Sequence, residues 1–194
     1  MKLKNKKMKN LVFLLFLILF VSCKESLPTK EIEIYSIKGT EIAQATFKSL
    51  SGNLMEQISQ GGPAQAVPFC NLNAVSITDA LSNQYDVQIR RTSNKLRSCD
   101  NEPTDRELDI ILKYEALVLN NEKLKPVVEL DESGKKHFYA PIKMAANCLT
   151  CHGIVNETMT VKTDSIIKEL YPFDIATGYK KEELRGIWSI TFNK

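Results

Sequence analysis

Apolar residues recur at helical spacing through "GTEIAQATFKSLSGNLMEQISQ" (39–60). There Ile42, Ala45, Phe47, Leu50, Leu54, Met55 and Ile58 predict a first long helix. "GGP" at 61–63 breaks that pattern. A second helix is expected over 64–83, with Val67, Cys70, Ala74, Ile77 and Leu81 on one face. The period then changes. "YDVQIRRTS" (85–93) alternates like a strand, and "RSCDNEPTD" (97–105) is a turn-rich loop in which Asn101 and Pro103 are turn residues. Thr104 or Asp105 can cap a third helix running to about Asn120. "LKPVVELDESGKKHFYAPIKM" (124–144) sets two apolar runs around Asp-Glu-Ser-Gly, which is the pattern of a β-hairpin. "DSIIKELYP" (164–172) predicts a short helix stopped by Pro172. "GIWSITF" (186–192) predicts a last strand that carries Trp188 into the core. Long helices with a few antiparallel strands give an α+β domain.

The first 22 residues follow a different logic. "MKLKNKKMKN" is basic, and "LVFLLFLILFV" is an uncharged run of 11 residues. Such a run is short for a spanning helix and typical of a signal sequence. Ser22 then precedes Cys23, as in a bacterial lipobox, although Phe20 is bulkier than is usual at its position. The expectation is a signal peptide over 1–22, a lipidated Cys23 that anchors the mature chain to a membrane, a polar tether over 23–38, and a folded domain over 39–194. Ordinary signal cleavage, or an uncleaved anchor, with an incidental Cys23 is the plainer reading.

Export changes the meaning of the charge. The whole chain is formally +3, but the leader holds five lysines and no acid. The remainder has 21 basic residues against 23 acidic ones, a net of −2. The basicity belongs to the leader, and a nucleic-acid partner is not expected. Outside the cytoplasm, facing a periplasm or the cell exterior, free thiols tend to oxidise, so the four cysteines after Cys23 call for an explanation.

"NCLTCHG" (147–153) supplies one. Cys148 and Cys151 stand on one side of a single turn, and His152 follows at once. Two thiols so spaced can add to two vinyl groups on one edge of a haem, and the adjacent imidazole can bind iron axially. A surface disulfide or half of a zinc site would also use such a pair. Zinc ordinarily takes two pairs of Cys or His, however, and the chain holds no second pair.

At this point the chain resembles the small c-type haem domain first described in cyanobacteria. That domain has a PAS-like fold and also occurs fused to bacterial sensor proteins. The resemblance covers most of 39–194. It rests on "AVPFCNLNA" (66–74), "RRTSNKLRSCDNEPTDRE" (90–107), "FYAPIKMAANCLTCHG" (138–153) and "YPFDIATGYKKEELRGIWSI" (171–190). One departure is Ser98-Cys99, where the family usually has Asn-Pro after the arginine. The resemblance implies a PAS-like antiparallel sheet with long N-terminal helices and one covalent haem c. It also implies iron held by His152 on one side and the Cys70 thiolate on the other. If a helix begins near Pro68, Cys70 lies in its first turn, where the dipole favours a thiolate; if it begins at Pro63, that help is weaker.

Rival second ligands are His137, Cys99, Met144 and Met159, ranked after Cys70 with His137 second and Cys99 third. Cys99 could instead form a disulfide with Cys70 and remove the thiolate. Arg90, Arg91 and Arg97 are candidates to neutralise the haem propionates, or they form a solvated strand edge. No nucleophile–base pair is apparent, and an iron with both axial positions filled has no place for substrate. The expectation is therefore a haem-based redox or small-ligand sensor rather than an enzyme. An electron-transfer cytochrome at the membrane surface is the alternative, and a five-coordinate haem enzyme a more distant one. Either of the first two needs a redox or signalling partner.

Overall fold

A computed structural model describes residues 27–193; the expected signal peptide and Cys23 lie outside the described residues. The chain runs through helix α1 (Thr29–Tyr85), strand β1 (Val87–Thr92), a 3-10 turn (Cys99–Asn101) and helix α2 (Asp105–Leu119). The hairpin strands β2 (Val127–Leu130) and β3 (Lys136–Lys143) follow. A second 3-10 turn (Ala146–Cys148) leads into a single helical turn, α3 (Leu149–His152), before helix α4 (Val161–Leu170) and strand β4 (Leu184–Phe192). The four strands form one antiparallel sheet in the order β1-β4-β3-β2. The fold is α+β with a long N-terminal helix, as the periodicity predicts. Among the described residues no helix is long and apolar enough to cross a membrane.

Strand alternation gives the sheet two apolar faces. Val87, Ile89, Phe138, Trp188, Ile190 and Phe192 pack with Ile42 and Ala43 of α1. Tyr139 and Ile187 point the other way and pack with Ile110, Ile111 and Tyr114 of α2. Helix α2 starts where the sequence places it. The Thr104 hydroxyl accepts from the Glu107 amide at 3.3 Å, and the Glu107 carboxylate accepts from the Thr104 amide at 2.9 Å, which closes a capping box. The hairpin turn is held by Asp131, whose carboxylate accepts from the Ser133 and Lys135 amides at 2.8 and 2.9 Å.

Helix α1 corrects two expectations. The segment read as a tether is helical from Thr29 onward, and Gly39 is buried against the sheet. The polar composition of 24–38 hid this, because the helix touches the core only at intervals. For the same reason Phe47 and Met55, expected on the buried face, are exposed. The break at "GGP" is present as a kink rather than a separate loop. Gly62 takes φ 77°, a left-handed conformation suited to glycine, and Pro63 restarts the helix with its fixed φ.

Gly39 marks the closest approach of α1 to the sheet, since a Cβ there would overlap the buried Phe138 ring. Gly52, in the same helix, has open space around it. Gly39→Ala is expected to destabilise the fold by about 1–3 kcal/mol through overpacking. Gly52→Ala should stabilise it by roughly 0.5–1 kcal/mol through helix propensity. Urea unfolding of the two variants checks this; a stabilised Gly39→Ala would contradict the packing described.

Candidate functional site

The four stretches that carry the sequence resemblance meet around the turn Leu149–His152. That turn hangs from the end of β3, where the Met144 amide donates to the Glu183 carbonyl at 2.9 Å and Met144 accepts from the Glu182 amide at 2.8 Å. The Gly153 amide closes the turn on the Leu149 carbonyl at 2.8 Å. The turn puts its two thiols against different walls. Cys148 packs against the cluster of Met144, Leu149, Ala176 and Tyr179. Cys151 packs against Val67 of α1 with Met159 and Ile167. Both thiols are half-buried and free.

Two further segments clamp the turn. The Arg97 guanidinium donates to the Cys151 carbonyl at 2.6 Å and pairs with Asp174 at 3.2 Å. The backbone adds the Ile175 amide to the Leu96 carbonyl at 2.9 Å, Gly178 to Gly153 at 2.9 Å, and Tyr179 to His152 at 3.0 Å. Arg97 is thus spent on fixing the turn.

His152 is oriented by the same loop. Its Nδ1 lies 2.7 Å from the Ala176 carbonyl, which can only accept, so Nδ1 carries the proton and Nε2 keeps its lone pair. Burial, and then the charges of Arg97 and Arg185, push the imidazole well below its ordinary pKa and keep it neutral. A neutral imidazole with one nitrogen tied to a carbonyl and the other free is the form that binds a metal.

Cys70 reaches this place from α1. Because the helix restarts at Pro63, Cys70 lies beyond the first turn, and the weaker of the two dipole expectations applies. Burial raises its thiol pKa, and the neighbouring Cys151 adds to that, whereas Arg91 and Arg97 lower it. Cys70 is thus within electrostatic reach of Cys151 and the two arginines.

The rival ligands are occupied elsewhere. His137 alternates with buried Phe138, so it lies on the α2 face of the sheet, stacked near Tyr139. Both of its nitrogens are engaged, Nε2 with Asp131 at 2.9 Å and Nδ1 with the Thr191 hydroxyl at 3.1 Å. Met144 and Met159 are buried as packing in the two walls behind the thiols. Cys99 is exposed on its 3-10 turn, and neither it nor Cys70 is in a disulfide. Arg90 also points to the α2 side, pairing with Glu107 at 3.8 Å and the Glu102 carbonyl at 2.7 Å. Arg91 stays at the site, with its guanidinium 5.9 Å from the Trp188 ring centre. Arg185 was not legible as a site residue. "KKEELRG" reads as a charged surface loop, and only the pairing of β4 into the sheet brings this arginine in.

Among the described residues no cluster of three or more His, Cys, Asp or Glu side chains is arranged to hold a metal ion alone. An apolar groove of ≈ 280 Å³ lined by Ile110, Tyr114, Leu117 and Val127 lies by α2 and contains no thiol or imidazole.

A family model described as Tll0287-like matches residues 25–193. Among solved structures, the crystal structure of the cyanobacterial heme-protein Tll0287 is similar, with a TM-score of 0.57 and 19% sequence identity. The match covers 80% of this chain and 94% of that one, and at this identity it shows the fold. No curated relative matches the chain.

The buried Arg97–Asp174 pair should be costly to break. Asp174→Ala leaves a guanidinium without its counter-charge and is expected to cost about 3–5 kcal/mol. Lys168→Ala removes an exposed i,i+4 pair with Asp164 (2.6 Å) and should cost at most about 0.5 kcal/mol. Urea unfolding measures both, and equal effects would show that the clamp does not carry the site.

Proposed function

Since the chain belongs to the Tll0287-like family, we propose that it is an exported, membrane-anchored protein carrying one haem c and acting in redox or small-ligand sensing. The observation that carries this reading is the clamped turn itself. It presents two thiols, a neutral imidazole with a free Nε2, and the third thiol of Cys70 nearby. The donor set suits a porphyrin that Cys148 and Cys151 would attach and whose iron His152 and Cys70 would bind. The structural relative, by its title, is a heme-protein. Such a group supplies one-electron chemistry, and the chain's share is to attach it, choose its ligands and set its surroundings.

The chain's own groups favour a change of state at Cys70. Burial resists a thiolate there, while Arg91 and Arg97 support one. Burial is the larger influence and favours the thiol, so added positive charge nearby is what would hold the sulfur ionised. His152 has no such freedom, because the Ala176 carbonyl fixes its tautomer. One fixed ligand and one conditional ligand suit a sensor better than a simple carrier, whose two ligands should both be firm. A sensor of this kind requires a signalling or redox partner. Electron transfer at the membrane surface remains the second reading, favoured if Cys70 stays bound in both oxidation states.

Cys70→Ala should leave the haem attached, since Cys148 and Cys151 are untouched. Acid–acetone extraction should leave the colour with the protein. The variant should have a changed ferric EPR spectrum and a higher reduction potential, by on the order of 100 mV within the roughly 0.8 V that axial ligands command. His137→Ala and Cys99→Ser should leave the ferric spectrum as it is. Haem extracted into the organic phase would overturn covalent attachment. A spectrum altered by His137→Ala but not by Cys70→Ala would overturn the thiolate.

The anchor makes a separate prediction. Intact mass of membrane-extracted protein should correspond to a chain beginning at Cys23 with a diacylglyceryl group added. A chain beginning elsewhere, or one without the added mass, would remove the lipoprotein reading and leave the haem reading standing.

A further inference from the structure

Arg97 binds the turn that carries His152 through the Cys151 carbonyl, and Arg185 faces the ring of Tyr179, whose amide donates to the His152 carbonyl. Arg91 lies on the neighbouring strand β1, opposite Trp188. Asp174 is the carboxylate at this place, and Arg97 takes it. Among the described residues Arg91 and Arg185 form no salt bridge.

What the two arginines have instead are aromatic rings and one carbonyl, and Asp174 also favours the charge on Arg185. Arg91 lies over Trp188. Arg185 donates to the Lys95 carbonyl at 3.0 Å and faces the Tyr179 ring at 5.7 Å. The Lys95 ammonium stands over the same ring at 4.2 Å and donates to the Thr177 carbonyl at 2.9 Å. The other titratable groups facing this place are Cys70, Tyr171 and His152. Both arginines are half-buried. Burial, and then the Arg185 charge, push Arg91 below its ordinary pKa; burial does the same to Arg185. Cations gathered out of water beside one another destabilise a fold unless an anion joins them. Each guanidinium fork matches a carboxylate.

We propose that Arg91 on β1 and Arg185 on β4 form a seat for two carboxylates of a bound ligand, the propionate pair of the porphyrin held through Cys148 and Cys151. Arg91 lies within the β1–β4 pairing, opposite Trp188 in the register, and Arg185 comes three residues before Trp188 on β4. Two cations without a salt bridge beside the attachment turn answer to two anions on the attached group. This assignment rests on the haem reading above and adds the site for its acidic edge.

The test uses the haem-loaded full chain. Arg91→Gln, Arg185→Gln and Arg90→Gln are compared, the last on the same strand as Arg91 but facing α2. All three should retain covalent haem. The wild type and Arg90→Gln should share one pH profile of the midpoint potential, including whatever Cys70 contributes to it. Arg91→Gln and Arg185→Gln should each free a half-buried carboxylate to titrate, so their potentials should fall more steeply than that of the wild type with rising pH between about pH 5 and 7. Arg91→Lys and Arg185→Lys keep the charge but lose the fork, and should show a smaller pH dependence; they also decide the matter if the glutamine variants do not fold. Glutamine or lysine variants with the pH profile of Arg90→Gln would overturn the seat and leave the haem reading intact. A wild-type chain that carries no haem would overturn both.

Discussion

The Arg97 guanidinium is the point from which the site is assembled. It binds the Cys151 carbonyl, 54 positions away in the chain, and Asp174, 77 positions away. Asp174 is almost fully enclosed, and it also accepts from the Ala176 amide at 3.0 Å. Ala176 in turn supplies the carbonyl that fixes His152. One buried charge pair therefore sets the position of the thiol turn, the loop beneath it and the tautomer of the imidazole. A buried ion pair contributes little net stability, because desolvation offsets most of its attraction. Its value here is geometric. Both partners need each other once they are out of water, so three distant segments can meet in one arrangement.

The second determinant is the kink in α1. A straight helix from Thr29 could lie along the sheet or over the thiol turn, but its two halves have different tasks. The first half uses Gly39, Ile42 and Ala43 to approach Phe138. The second half carries Val67 to Met159 and Ile167, and brings Cys70 within electrostatic reach of Cys151. Gly62 at φ 77° and Pro63 change the course between them. The division also explains the exposed Phe47 and Met55, which lie in the stretch between the two contacts.

Much of this was legible in the sequence, and the gaps have physical causes. The four predicted strands, the capped α2 and the Gly-Gly-Pro break all rest on local rules of period and turn chemistry, and they appear where those rules place them. Cys148, Cys151 and His152 were legible because their spacing within one turn needs no tertiary structure. Cys70 was not fixed by spacing, and only resemblance singled it out. The start of α1 was missed because residues 29–38 are polar and touch the core sparsely. Arg185 and the Ala176 carbonyl were missed for a deeper reason. A backbone acceptor has no signature in sequence, and an arginine in a charged run looks the same whether it faces solvent or a site.

The two histidines show what sequence spacing leaves undecided. His137 lies in a strand between aromatic and basic residues, and nothing local bars it from binding a metal. Its Nε2 meets Asp131 and its Nδ1 meets Thr191, which pins the hairpin to β4 and leaves neither lone pair to spare. His152 spends one nitrogen on a carbonyl and keeps the other. The sheet also separates them. Phe138 and Arg91 lie on the face toward α1, while His137 and Arg90 lie on the face toward α2 with Glu107. Residues adjacent in sequence, Arg90 and Arg91 or His137 and Phe138, are thereby sent to opposite sides of a layer that no side chain crosses. The chemistry of the α1 face is consequently cationic and thiol-rich, with one carboxylate already taken by Arg97. That face suits an anionic group near β1 and β4, where, among the described residues, Arg91 and Arg185 form no salt bridge.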